Sequence, residues 1–191
     1  MKPVQRLDRR RLLRWLAAGP MALPLVLRNQ AALADMASAP LAPARDLSLH
    51  NLHTDERLSV RYFDDGQYQP AALTRLNHLL RDHRNGEIAI IDYHLFDQLH
   101  LLAAQAQREP HYEIISGYRS PQTNAALRAS TEGVAQHSLH IEGRAVDVRL
   151  GGAACGRLRD LACGLSLGGV GYYAKSDFVH LDTGRVRSWM G

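Results

Sequence analysis

The chain is poor in the residues that announce many chemistries. It holds only two cysteines, Cys155 and Cys163, and no Cys-x-x-Cys spacing. That removes cysteine-based zinc modules and dithiol redox motifs. No Gly-x-Gly-x-x-Gly or phosphate-loop pattern occurs, and no His-Glu-x-x-His pair lies at helical spacing. Dinucleotide, nucleotide-phosphate and helix-borne metallopeptidase sites therefore lack their signatures. There is no internal repeat. Aromatic residues make up 6% of the chain, against 46% hydrophobic and 22% charged. This is an ordinary globular composition, which excludes collagen, coiled coil and wholesale disorder. At 191 residues the chain has room for one or two domains with a real core.

Positive charge is also scarce once its place is considered. The formal net charge is +4, but residues 1–34 hold seven basic residues against the single Asp8. Residues 35–191 carry sixteen basic and eighteen acidic residues, a net of −2. A nucleic-acid footprint on the folded part thus loses its support.

The first 34 residues run from a basic start through an apolar stretch, Trp15 to Leu27, to Ala32-Leu33-Ala34. This order predicts an export signal, cleaved after Ala34. The stretch is 13 residues long and contains Gly19, Pro20 and Pro24, whereas a membrane span needs about 20 apolar residues. Asp8-Arg9-Arg10-Arg11-Leu12-Leu13-Arg14 resembles the twin-arginine signal, with Asp8 and Leu12 departing from its favoured residues. The mature protein is expected outside the cytoplasm, with no stable membrane anchor after processing. Residues 35–45, rich in Ala and Pro, are expected to be a linker, and 46–191 a single domain.

Within that domain, Leu47–Leu52 and Leu58–Phe63 predict a hairpin around Thr54-Asp55-Glu56. Leucines 73, 76, 79 and 80 predict a helix over 70–83, and a second apolar stripe predicts one over 93–108. A strand follows at 112–115. Ser120-Pro121 then opens a helix, with Ser as cap and Pro in the first turn. Strands are predicted at 144–150, 170–173 and 178–182, and a helix at 153–165. The cysteines lie eight residues apart on that last helix, about 12 Å at its rise per residue. A disulfide needs Cα atoms within about 7 Å, so two buried thiols are expected. Helices and mostly antiparallel strands alternate without a regular βαβ rhythm, which predicts an α+β fold.

Parity then locates a candidate site. On 144–150, Val146, Val148 and Leu150 share one face, and Ala145, Asp147 and Arg149 the other. On 178–182, Val179 and Leu181 face the core while Phe178, His180 and Asp182 face away. If the strands are neighbours, Asp147 and His180 look into one cleft, and Gly143 lets His140 turn back toward them. Two readings stand at this point. One is a hydrogen-bonded His–Asp pair. The other is an open two-His, one-carboxylate metal site that keeps a fourth position for water. His78, His83, His94 and His100 show no ligand spacing with one another.

Ser116-Gly117-Tyr118-Arg119-Ser120, His140-x-x-Gly143-x-Ala145-x-Asp147 and Val179-His180-Leu181-Asp182 together resemble the zinc peptidases of the D-Ala-D-Ala carboxypeptidase and hedgehog-like group. The resemblance spans about residues 47–189. It implies a small, mostly antiparallel sheet with flanking helices, and zinc held by His140, Asp147 and His180. It implies peptidoglycan stem peptides as substrate, cut at their cross-links, with the diaminopimelate–diaminopimelate link as the expected bond. Arg119 is expected to hold the substrate carbonyl or the developing oxyanion. Asp177, three residues before His180, stands where one branch of the group places a glutamate base. Asp182 is expected to orient a ligand histidine, and His137 to sit at the rim. Tyr118, Tyr172 and Tyr173 are candidate groove residues, and Glu142 is expected to face solvent. Two competitors remain: a wall-binding module of the same fold that does not cut, and a D,D-carboxypeptidase or D,D-endopeptidase.

Overall fold

A computed structural model describes residues 43–130 and 135–191. The expected export signal and most of the expected linker lie outside the described residues. The linker reading overlaps the fold at one position, since Arg45 already opens the first strand.

The strands are β1 (Arg45–Asn51), β2 (Arg57–Asp64), β3 (Gln67–Tyr68), β4 (His111–Ser116), β5 (Ala145–Leu150), β6 (Gly169–Tyr173), β7 (Phe178–Asp182) and β8 (Arg187–Met190). The helices among the described residues are α1 (Pro70–Leu79), α2 (Tyr93–Gln105), α3 (Pro121–Ser130) and α4 (Cys155–Leu165). The eight strands among the described residues form one open sheet in the order β3-β2-β1-β4-β5-β7-β6-β8. Two neighbouring pairs, β1–β4 and β6–β8, are parallel and the rest antiparallel. The fold is α+β, as the sequence predicts, although its sheet is larger than expected. The two added strands are short edge pieces: β3 is two residues long and β8 four. Neither is long enough to show a period on its own.

One face of the sheet follows the alternation rule closely. Leu47, Leu49, Tyr112, Ile114, Val146, Val148, Val179 and Leu181 are buried there. They pack against Leu76 and Leu79 of α1, Phe96, Leu99 and Leu102 of α2, and Leu158 of α4. Full burial of one such side chain is worth about 1.5–3 kcal/mol, so this layer holds the platform together. Ser120 caps α3 as predicted, its Oγ accepting from the Thr123 amide at 3.1 Å.

Two helix ends differ from the sequence reading. The first helix stops at Leu79 rather than His83. The Asp82 carboxylate beyond it accepts from the amides of Arg84 (3.0 Å) and Ser120 (2.9 Å), which holds that chain in a loop. The second stops at Gln105 rather than Arg108, because Gln107 takes a left-handed backbone, φ +56°. The cysteines both lie on α4 as free thiols, Cys155 buried and Cys163 only partly so.

Candidate metal centre

The opposite face of the sheet carries the candidate site. Antiparallel pairing sets Asp147 of β5 directly beside His180 of β7, the neighbourhood that the parity argument required. The same row continues through Gly171 of β6 to Trp189 of β8. On the other flank, β4 shifts register between Ile114 and Ser116 before it reaches Asp147. Such a bulge re-aims the chain, and it launches the Gly117–Ser120 segment across this face.

His140 comes from a tight turn between Leu139 and Arg144. Gly143 closes the turn with φ +67°, and a side chain there would strike the Ile90 carbonyl. The turn is tied to the loop after β4: the Arg119 amide donates to the His140 carbonyl at 3.1 Å. Asp147, His140 and His180 are all buried.

Their donor atoms meet at one point. His140 Nε2 lies 3.2 Å from His180 Nδ1 and 3.4 Å from Asp147 Oδ1, and His180 Nδ1 lies 2.9 Å from that same oxygen. Each imidazole has its other nitrogen engaged. His140 Nδ1–H donates to the Gly117 carbonyl at 2.7 Å, and His180 Nε2–H donates to Asp182 Oδ2 at 3.1 Å. Those partners occupy one nitrogen of each ring and leave His140 Nε2 and His180 Nδ1 to face the Asp147 oxygen. Tetrahedral bonds of about 2.0–2.2 Å would set three ligands about 3.3–3.6 Å apart. The observed triangle is close to that size, so the donor set fits a small divalent cation. Among the described residues this is the group of His, Cys, Asp and Glu side chains arranged to hold a metal.

The electrostatics follow from the crowding. Burial pulls the His180 imidazole down, but the hydrogen bonds it donates to the carboxylates of Asp147 and Asp182 outweigh it and push its pKa up to about 9. Burial resists ionisation of Asp147, yet the two imidazoles hold its carboxyl well below the usual carboxylate range. Without a cation the cluster retains a proton in its place.

Arg119 stands beside this centre. Burial lowers the pKa of its guanidinium, and the charge of Asp147 works against that shift. Its one side-chain hydrogen bond is long, Nη1 to Asn124 Oδ1 at 3.3 Å, and its buried Nε has no partner among the described residues. Asn124 is itself buried and donates to the Ala135 carbonyl at 3.1 Å.

Other predicted residues fall elsewhere. Asp177 lies in the turn before β7 with φ +51° and a side chain 69% exposed. Its carboxylate is 4.0 Å from Arg149 Nε, and its carbonyl accepts from Arg149 and Cys155. No hydrogen bond joins it to the cluster. His137 is exposed. The Tyr118 ring is buried and its hydroxyl donates to Glu87 at 2.8 Å, which leaves it no groove surface. Tyr172 lies under the Arg159 guanidinium. Glu142 is exposed, as expected.

The structure adds Trp189 and Arg187, which the sequence reading missed. Trp189 places its ring 5.2 Å from that of His180 and donates from Nε1 to the Tyr173 hydroxyl at 3.2 Å. Tyr173 in turn stacks on Phe178 at 4.6 Å. Gly171 makes this possible, since a Cβ there would sit 2.6 Å from the Trp189 ring. Arg187 pairs with Asp182 behind His180. A Gly-aromatic-aromatic string at 171–173 and a lone tryptophan near 189 were the available signals, but their meeting depends on the parallel β6–β8 pairing.

Residues 39–189 match the family model described as peptidoglycan L,D-endopeptidase MepK. The peptidoglycan L,D-endopeptidase MepK of Escherichia coli is 42% identical over 182 residues, covering 95% of this chain and 97% of its own. The protein of the same name from Shigella flexneri matches with the same identity and coverage. No solved structure matches.

Proposed function

We propose, since the chain belongs to the peptidoglycan L,D-endopeptidase MepK family, that it is a zinc peptidase cutting peptide cross-links of peptidoglycan. The observation that carries this reading is the convergence of three ligand atoms, His140 Nε2, Asp147 Oδ1 and His180 Nδ1, within 3.4 Å of one another. These three residues would hold the metal. Zinc, when bound, supplies a Lewis acid that polarises an amide carbonyl and eases the ionisation of water near neutral pH.

The remaining work belongs to the chain. Arg119, on the loop tied to His140, keeps its charge and has an unpartnered Nε, which suits it to steady the oxyanion that develops on the scissile carbonyl. Asp182 holds the tautomer of His180. Trp189, Tyr173 and Phe178 offer a flat aromatic side against which an extended stem peptide can lie. The bond assigned is the link between two diaminopimelate residues, in keeping with the names of the relatives. The place of action is the periplasm, reached by the twin-arginine route. Supporting this are the substrate and the basic, apolar, small-residue order of residues 1–34. No helix among the described residues is long and apolar enough to cross a membrane.

A second reading, a wall-binding module that does not cut, draws on the position of Asp177 beside Arg149. One experiment separates the readings. The protein is incubated with muropeptide dimers joined either by a diaminopimelate–diaminopimelate bond or by a D-Ala–diaminopimelate bond, with and without chelator. Products are identified by mass. Chelator-sensitive monomers from the first dimer, restored by zinc, are expected. Cleavage of the second dimer alone would reassign the bond, and binding without products would favour the module.

A further inference from the structure

The chain behind His180 is more elaborate than a capping carboxylate requires. Asp182 is completely buried, and both of its oxygens are engaged. Oδ1 accepts from the amides of Gly169 (3.0 Å) and Gly184 (2.8 Å) and from Arg187 Nη1 (3.0 Å). Oδ2 accepts from Arg187 Nη2 (2.7 Å) and His180 Nε2 (3.1 Å). Arg187 therefore grips the carboxylate at both oxygens, the fork geometry that fixes a carboxylate plane. Its guanidinium also lies 4.9 Å from the centre of the Trp189 ring, which covers His180.

We propose that Arg187 is a positioning residue for the metal centre, acting through Asp182 on His180. A carboxylate gripped at two oxygens cannot rotate, so Oδ2 stays aimed at Nε2. With one proton committed to Nε2, Nδ1 of His180 is the nitrogen left to face His140 and Asp147. The last strand, β8, thereby becomes part of the site although none of its residues touches the metal position. This rests on the zinc reading above.

The inference needs a readout that a purely structural arginine would not move. Arg144 supplies the comparison. It fastens the same corner of the sheet, donating to the Thr183 carbonyl at 2.7 Å and to Thr183 Oγ1 at 3.2 Å, but it reaches no ligand residue. Zinc affinity is measured by chelator competition on the wild-type protein, Arg187→Met, Arg187→Lys and Arg144→Met. Alongside, the 15N spectrum of the zinc-loaded, histidine-labelled protein reports which nitrogen of His180 carries the proton. Loss of an outer contact to a metal ligand costs about 10–100-fold in affinity, and a loss in that range is expected for Arg187→Met. Arg187→Lys should fall between it and wild type, and Arg144→Met should bind as wild type does. The His180 signals should show Nε2–H in wild type and a mixed or reversed pattern in Arg187→Met. Equal affinity in all four proteins, equal loss in Arg144→Met, or Nδ1–H in the wild type would each overturn the proposal. Should Arg187→Met fail to fold, Arg187→Lys and the wild-type spectrum still decide it. A wild type that takes up no zinc would instead sink the metal reading itself.

Discussion

The two faces of the sheet are built on different principles. The helix-covered face is apolar, repeats every second residue and is shared among Leu, Val, Ile and Tyr side chains. Its stabilisation is spread over many contacts, none of which requires a particular atom. The opposite face concentrates its order in single hydrogen bonds. Gly117 O accepts from His140, Asp182 Oδ2 from His180 and Arg187, and the Arg119 amide donates to the His140 carbonyl. Small changes in volume are therefore tolerable on one side, and small changes in direction are costly on the other.

Substitutions can test that contrast. Arg119→Met should lower kcat about 100- to 1000-fold, the usual cost of an oxyanion donor, while zinc content stays near wild type. Loss of zinc in that variant would place Arg119 with the ligands instead. The pH dependence comes next. In the metal-free fold His180 holds its proton up to about 9, against about 6.5 when unfolded. Its contribution to stability is complete below pH 6.5 and lost as pH rises through 9. Zinc must displace that proton, so apparent affinity should strengthen about tenfold per pH unit between 7 and 9 where one proton is released. A flat titration would mean that His180 is already neutral without metal. Asp177→Asn should lower kcat less than about tenfold, below the usual range for a positioned acid or base. A loss as large as that of Arg119→Met would return Asp177 to the role of base. Leu99→Ala, on the apolar face, should cost about 2–5 kcal/mol of stability and leave kcat per folded molecule unchanged. If it also lowered zinc affinity, the two faces would be coupled.

The same contrast governs what the sequence discloses. Side-chain alternation exposed the pairing of Asp147 with His180, because a strand writes its facing in every second residue. Gly143 disclosed the turn that returns His140. The apolar face was equally legible from the leucines of α1 and α2. Three things were hidden. The acceptor for His140 is a backbone carbonyl, Gly117, which leaves no mark on residue type. The left-handed backbone of Asp177 determines where its carboxylate points. Arg187 and Trp189 reach His180 only because β8 runs parallel to β6, a pairing that four residues of sequence do not reveal.

The central claim is that three buried donors grip one cation. It is tested most directly by the zinc content of the protein, purified without chelator, beside that of His180→Ala. About one zinc per chain is predicted for the wild type and little for the variant, since an open site needs all three protein ligands. A wild type free of zinc, or a variant that keeps it, would contradict the account.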